Sequence, residues 1–320
     1  METVTTAVYT VIGPSPITGF VVFALFSFWG GYLFYRAFCI GLPGGDRRRY
    51  AVLVFLLPSL LFWPSSIGKE AWLYFFLGLS AYGVARFFRH GAQGLVPVAL
   101  GIVGTMVVRP HIAVLVVVAL VAAQIARPSS PSPTAMLTKV MGVAAMVATA
   151  VVLAGQSAEF LELEEVTWEG LASEIEERSD LASQGGSEFE STPVTSPLQL
   201  PAAALTVMFR PFPYEASNVQ LLVQSLEGLM LLVLLVGARH RLRALPRLMR
   251  TTPFLTFAVV YVLGFVWAFS GIGNFGILAR QRVLMLPLLL VVLALPAIIE
   301  VRKKRPGTPR GATRSAASVR

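Results

Sequence analysis

The chain has 320 residues, of which 55% are hydrophobic and only 13% are charged, and its formal net charge is +9. Charged residues make up about a quarter of an ordinary soluble domain, so this composition excludes one and indicates a membrane protein with many spans. The single cysteine, Cys39, excludes a disulfide framework and a cysteine metal site, and positive charge spread over loops on one membrane face gives no reason to expect nucleic acid as a partner.

Nine apolar segments are long enough to span or nearly span the hydrocarbon core. They lie at 17–42, 50–63, 71–88, 95–108, 112–126, 135–154, 219–237, 253–271 and 283–299. The sequence therefore predicts an all-α, polytopic integral membrane protein with about nine transmembrane helices, about six within 1–154 and about three within 218–300. The pair that flanks Arg109 and Pro110 has a second interpretation as a re-entrant hairpin.

The distribution of lysine and arginine predicts the orientation, because basic residues near the ends of spans are retained in the cytoplasm. An N-terminus outside and a C-terminus in the cytoplasm place most of the basic residues inside, including the cluster at 239–250 and a basic tail at 301–320 that we expect to be disordered. The basic residues left outside are Lys69, Arg109, Arg178, Arg210, Arg280 and Arg282.

One long outer loop, 155–217, holds most of the acidic residues. Apolar residues recur at helical spacing between Phe160 and Ile175, which predicts an amphipathic helix on or near the bilayer surface. A second apolar piece, 198–209, is too short to span the membrane. We interpret it as an interfacial or re-entrant helix that brings Arg210 to the membrane surface.

Four short stretches carry the charged and polar residues that the predicted outer face presents between apolar segments: 62–70, 108–111, 209–215 and 274–282. A charge near the hydrocarbon boundary costs several kcal/mol unless it snorkels, is paired or lines a wet cavity. For each residue a snorkelling anchor or a structural ion pair is the alternative to a functional role. Because guanidinium groups match phosphate oxygens, we interpret five of them as a diphosphate-binding set: Arg210, Arg280, Arg282, Arg109 and Lys69.

Three outer residues are candidates for proton transfer: His111, Glu215 and Glu70. A structural role is the alternative for each, and Glu70 at a helix start also stabilises that N-terminus. Glu227 lies deeper, in the middle of a predicted span. It is either paired with a buried arginine or faces a cavity.

The motifs in the four stretches resemble those of the Wzy/EpsG-like repeat-unit polymerases of bacterial polysaccharide gene clusters, over about residues 50–295. The resemblance implies a multi-pass protein of the cytoplasmic (inner) membrane that joins undecaprenyl-diphosphate-linked oligosaccharides at its outer face. It further implies no metal and no cofactor, with arginines holding the diphosphate. The expected partners are the lipid-linked oligosaccharide, membrane lipids and other polysaccharide assembly proteins. Relatives usually have ten or more spans, where this chain has about nine.

Two other functions stay open at this point. A transporter or flippase of the same lipid-linked sugars would share the basic site, although such proteins usually show repeat symmetry, which this sequence lacks. A non-catalytic membrane partner of a polysaccharide assembly complex would use the acidic loop as a docking surface.

Overall fold

The computed structural model describes residues 6, 9–10, 13, 15–128, 139–144, 146–149, 151–152, 155 and 187–296. In this part of the chain the fold is all-α, and its only extended pairing is an isolated antiparallel bridge between Glu188 and Asn274. The helices are α1 (Pro16–Gly41), α2 (Arg47–Leu56), α3 (Pro58–Phe62), α4 (Lys69–His90), α5 (Leu95–Met106), α6 (Pro110–Ala126), α7 (Leu200–Phe209), α8 (Val219–Gly237), α9 (Arg239–Leu242), α10 (Leu245–Thr251), α11 (Pro253–Phe269), α12 (Phe275–Arg282) and α13 (Leu286–Leu293).

Three stretches of the described chain are long and apolar enough to cross a membrane: Pro16–Gly41, Lys69–Met106 and Val219–Gly237. A fourth candidate is the pair α12 and α13, which is bent by 66° and has the composition of a broken span or a re-entrant loop. Helices α6 and α11 are apolar but shorter. The chain therefore has several apolar helices that could span a membrane, as its composition predicts.

Helices α4 and α5 form an antiparallel hairpin whose two backbones approach closely through glycine. A Cβ atom on Gly101 would lie 2.5 Å from the backbone nitrogen of Ser80, and one on Gly83 would lie 2.4 Å from that of Val98. The indole of Trp72 donates a hydrogen bond to the Gly104 carbonyl across the same interface, at 2.7 Å. Small residues allow this close contact, which is the usual way in which apolar helices associate in lipid.

The centre of the bundle is α13, all of whose residues are buried. It contacts α11 and α2, and α11 in turn lies against α6 and α7. Large apolar side chains remain exposed on the outer faces, for example Phe20 and Trp29 on α1 and Val223 and Val233 on α8. Helices that are apolar on both faces suit a bundle whose outer surface meets lipid.

The structure refines two of the predicted segments and confirms the bounds of a third. The segment 50–63 is two helices, α2 and α3, because Pro58 cannot donate the backbone hydrogen bond that would join them. Within the segment 283–299 the helix α13 begins only at Leu286, and it is separated by a bend from α12, which fills the stretch before it that the sequence suggested only as a polar connection. The segment 219–237 is α8, with the same bounds.

Some expectations fall outside the described residues. These are the amphipathic helix at 160–175, the tail at 301–320 and parts of the segment 135–154. Residues 198–209 are described, and they form a 3₁₀ turn followed by α7, which ends directly before Arg210.

Candidate functional site

The structure brings the four charged stretches together at one end of the bundle, here called the arginine end. Arg280 of α12 contacts Glu70, the second residue of α4, and Arg109 between α5 and α6 contacts the same carboxylate. Arg282 donates a hydrogen bond to the carbonyl of Arg210, which follows α7. Residues separated by up to 210 positions in the sequence thus form one connected set.

Glu70 pairs with two of these arginines, Arg109 and Arg280. Its side chain is 1% exposed, and it accepts from Arg280 at 2.7 Å through both Nε and Nη2, one nitrogen to each carboxylate oxygen. Arg109 Nη2 lies 3.4 Å from Glu70 Oε1, and Arg109 Nη1 donates to the side-chain carbonyl of Gln281. Two guanidinium groups therefore share one buried carboxylate, which leaves one positive charge of this trio unmatched.

The local sequence explains these positions. Glu70 lies in the first turn of α4, where its negative charge is favourable beside the positive end of the helix dipole. Arg109 precedes Pro110, and a residue before proline is pushed out of the helical conformation, so α5 and α6 separate at this residue. The Asn274 side chain accepts from the Ile277 amide at 3.1 Å and starts α12, which carries Arg280, Gln281 and Arg282 in consecutive positions.

Arg210 is paired with Glu215 in the loop between α7 and α8. The Arg210 Nε lies 2.9 Å from Glu215 Oε1, and Nη2 donates to the same oxygen. The other oxygen, Glu215 Oε2, accepts from the Phe212 amide at 2.7 Å. Burial alone would raise the pKa of Glu215, but the hydrogen bonds from Arg210 and Phe212 outweigh it and hold this pKa below its ordinary value.

An aromatic pair lies beneath the Arg210 guanidinium. Phe189 stacks on Phe275 with ring centroids 4.2 Å apart, and the Arg210 guanidinium carbon lies 4.5 Å from the Phe189 centroid. The Phe189 amide donates to the Gly273 carbonyl at 2.9 Å, so this end of the long loop is tied to the start of α12. The two rings give the Arg210 guanidinium a cation–π contact and a packing surface.

Arg282 lies inside the bundle with only 4% of its surface exposed. Besides its bond to the Arg210 carbonyl, its charge interacts with Glu227 in the middle of α8. Glu227 Oε2 accepts from the Ser59 amide at 2.8 Å, directly after the break between α2 and α3. Of the two alternatives for Glu227, the structure supports proximity to a buried arginine.

The remaining two candidates lie at the same end. Lys69 is exposed at the first residue of α4, next to Glu70. His111 lies in the first turn of α6, two residues after Arg109, and its ring centroid is 6.2 Å from that of Phe269. In the described residues no group of three His, Cys, Asp or Glu side chains is arranged to hold a metal ion.

Sequence reasoning missed three participants. Gln281 contacts Arg109, Phe189 supports Arg210, and Ser59 binds Glu227 through its backbone amide. Gln281 was flanked by two candidate arginines, and Pro58 marked a backbone break beside Ser59, so both carried a local signal. Phe189 carried none, because it lies in a loop far from its partners in the sequence.

Across the described residues, the arginine end combines Arg109, Arg210, Arg280 and Arg282 with the carboxylates of Glu70, Glu215 and Glu227. The partly exposed guanidinium groups of Arg210 and Arg280 rim this site with Lys69 nearby, and the exposed Glu188 and Glu190 of the adjoining loop lie at the same end. Such a site is suited to an anion with several oxygens. Comparison with protein-family models, with curated proteins and with solved structures finds no match for this chain.

Proposed function

We propose that the arginine end binds the diphosphate of a lipid-linked oligosaccharide, and that the protein transfers the oligosaccharide to a second such molecule. The observation that carries this proposal is the sharing of the buried Glu70 carboxylate by Arg109 and Arg280, since it leaves positive charge for a ligand. The resemblance of the four stretches to repeat-unit polymerases supports the choice of reaction.

A diphosphate fits the site better than a single carboxylate does. Arg280 is 45% exposed although it is paired, so its guanidinium has an accessible side, and Lys69 is exposed next to it. Arginine donates two parallel hydrogen bonds to phosphate oxygens, and lysine adds a mobile point charge. Positive charge at the end of a bundle of apolar helices also suits a ligand whose diphosphate lies at the membrane surface while its lipid tail stays in the membrane.

In the proposed reaction, the acceptor sugar hydroxyl oxygen attacks the anomeric carbon of the donor. The bond between that carbon and the diphosphate oxygen breaks, and the lipid diphosphate leaves with the electron pair. Arg109, Arg210 and Arg280 stabilise the negative charge that develops on this leaving group. We assign the hydroxyl proton to His111, since it lies two residues after Arg109 at this end and histidine is the usual general base near neutral pH.

The experiment is deletion of the gene, complementation with variants, and analysis of both the surface polysaccharide and the lipid-linked intermediates. The polymerase predicts that the deletion accumulates single repeat units at the outer face, and that Arg280→Lys restores protein level but not polymer. Arg241→Lys, at the opposite end of the bundle, is the matched control and should restore both. Normal polymer in the Arg280→Lys strain would contradict the proposed site.

Transport of the same lipid-linked sugar is the second candidate, and the bend of 66° between α12 and α13 favours it. Transporters commonly place interrupted helices at the substrate site. In that case the deletion strain would hold its lipid-linked units at the cytoplasmic face. An impermeant sugar-modifying reagent applied to intact cells separates the two outcomes.

A further inference from the structure

We infer that Arg282 is a positioning residue for Arg210 and not a ligand of the diphosphate, an inference that rests on the proposed function. The sequence grouped Arg282 with the diphosphate-binding arginines. The structure separates it from them by burial: Arg282 is 4% exposed as a residue, whereas the Arg210 side chain is 22% exposed and that of Arg280 45%.

The contacts of Arg282 run inward and to the backbone. Its Nη2 donates to the carbonyl of Arg210, which directly follows α7 and begins the Arg210–Glu215 loop. Glu227, which is 7% exposed, lies near enough for its charge to interact with that of Arg282. A buried guanidinium that donates to this carbonyl fixes the start of the loop that carries Arg210.

Glu227 is in turn fixed by the backbone. The Ser59 amide, which donates to Glu227 Oε2 at 2.8 Å, lies at the start of α3, where Pro58 interrupts the run from α2. Hydrogen bonds thus join α3 to α8 and α12 to the end of α7, and an electrostatic interaction between Glu227 and Arg282 relates the two pairs. Arg282 is the only one of the four candidate arginines buried to this degree among the described residues.

One hydrogen-bond donor of Arg282 is unsatisfied. Its Nε is buried and has no hydrogen-bond partner among the described residues. Leaving a buried donor unsatisfied is costly, so a tightly packed site tolerates it only where the remaining contacts of the group outweigh the loss. Because its surface is buried, this Nε is not accessible to a diphosphate, which suits a side chain that holds a backbone.

The test is a double-mutant cycle on the affinity for farnesyl diphosphate, measured by titration calorimetry with the full chain in detergent. All variants carry Glu227→Gln, because removing Arg282 alone would leave a buried, unpaired carboxylate. The Glu227→Gln change keeps an acceptor for the Ser59 amide, and Arg282→Met keeps the side-chain length but has no donor. The four proteins are the Glu227→Gln background, Arg282→Met, Arg210→Ala and the combination.

A positioning role predicts that Arg282→Met weakens binding about tenfold in the presence of Arg210 and has no further effect once Arg210→Ala is present. A direct ligand predicts that the two losses multiply. Multiplying losses, or an unchanged affinity in Arg282→Met, would overturn the inference. A background protein that does not bind farnesyl diphosphate would contradict the proposed function instead.

A second readout needs no ligand. The Phe212 amide donates to Glu215 and the Glu215 amide donates to the Phe212 carbonyl, so amide hydrogen exchange reports the order of the Arg210–Glu215 loop. Arg282→Met in the Glu227→Gln background should speed exchange in 210–217 about tenfold relative to that background. Exchange in 239–250 should not change. Equal rates in 210–217 for both proteins would overturn the positioning role whatever the ligand result.

Discussion

The two ends of the bundle use arginine in different ways. At the arginine end, Glu70 is 1% exposed and two guanidinium groups share it. At the opposite end, Asp46 and Arg241 lie 3.8 Å apart with side-chain exposures of 39% and 27%, and nearby arginines such as Arg47 and Arg239 are exposed. The first arrangement fixes charges within protein, whereas the second leaves them in contact with solvent or lipid headgroups.

This difference separates two roles for positive charge in a membrane protein. Exposed arginines at a span end contribute little to stability and suit attraction to anionic headgroups. Buried arginines cost desolvation energy that only well-placed carboxylates, carbonyls or a ligand offset. The arginine end therefore has both the stronger structural dependence on its partners and the better geometry for a ligand.

The largest expected effect is on Glu70. Glu70→Gln leaves Arg109 and Arg280 without their shared charge and should destabilise the protein by about 3 kcal/mol. The matched change is Asp46→Asn, which removes a charge at the opposite end but keeps an N-cap acceptor for the Arg49 amide, so its cost should be about 0.5 kcal/mol. Apparent melting temperature in detergent measures both. Equal losses would erase the distinction between the two ends.

A smaller effect is expected at Gly68. A Cβ atom there would lie 3.1 Å from Glu70 Oε2 and 3.8 Å from Arg280 Nη2, so Gly68→Ala crowds the ion pair and should cost about 1 kcal/mol. Gly237→Ala, at the end of α8, is the control, because no atom lies within 4 Å of its added Cβ. The same melting assay compares them. A destabilisation by Gly237→Ala equal to that of Gly68→Ala would show that packing at Glu70 is not tight.

The smallest effect concerns pH and Glu215. Because the folded protein holds the pKa of Glu215 below its ordinary value, the Arg210–Glu215 pair adds stability that is fully present above the ordinary glutamate pKa. That contribution is lost as the pH falls through the lowered, folded-state pKa. The melting difference between the unmodified protein and Glu215→Gln should therefore be larger at about pH 7 than at about pH 3. A difference independent of pH would exclude this linkage.

Local sequence signals predicted part of the fold well. The bounds of α8 follow from Asn218, whose side chain accepts from the Leu221 amide, and from the apolar run that ends at Gly237. The four stretches of the arginine end were recognisable because prolines and charges interrupt apolar segments. Their convergence was expected from their common side of the predicted topology.

The pairing pattern was not predictable from the same signals. Glu227 and Ser59 are 168 positions apart, and Glu70 and Arg280 are 210 apart, so no local pattern specifies either contact. From the sequence, all five basic residues also fall into one diphosphate-binding set. Only the packing of α12 against α7 and α8 shows that Arg282 is buried while Arg280, two residues earlier, is partly exposed.

The most direct test of the account is the affinity for farnesyl diphosphate of three proteins: the unmodified chain, Arg109→Gln and Arg241→Gln. Two arginines share the Glu70 carboxylate, so one of their positive charges is available to a diphosphate, and Arg109→Gln removes it. We therefore expect Arg109→Gln to weaken binding about tenfold, while Arg241→Gln at the opposite end leaves the affinity unchanged. Farnesol, which lacks the diphosphate, should bind all three equally weakly. Equal affinities of the unmodified chain and Arg109→Gln, or an equal loss in Arg241→Gln, would contradict a diphosphate site at the arginine end.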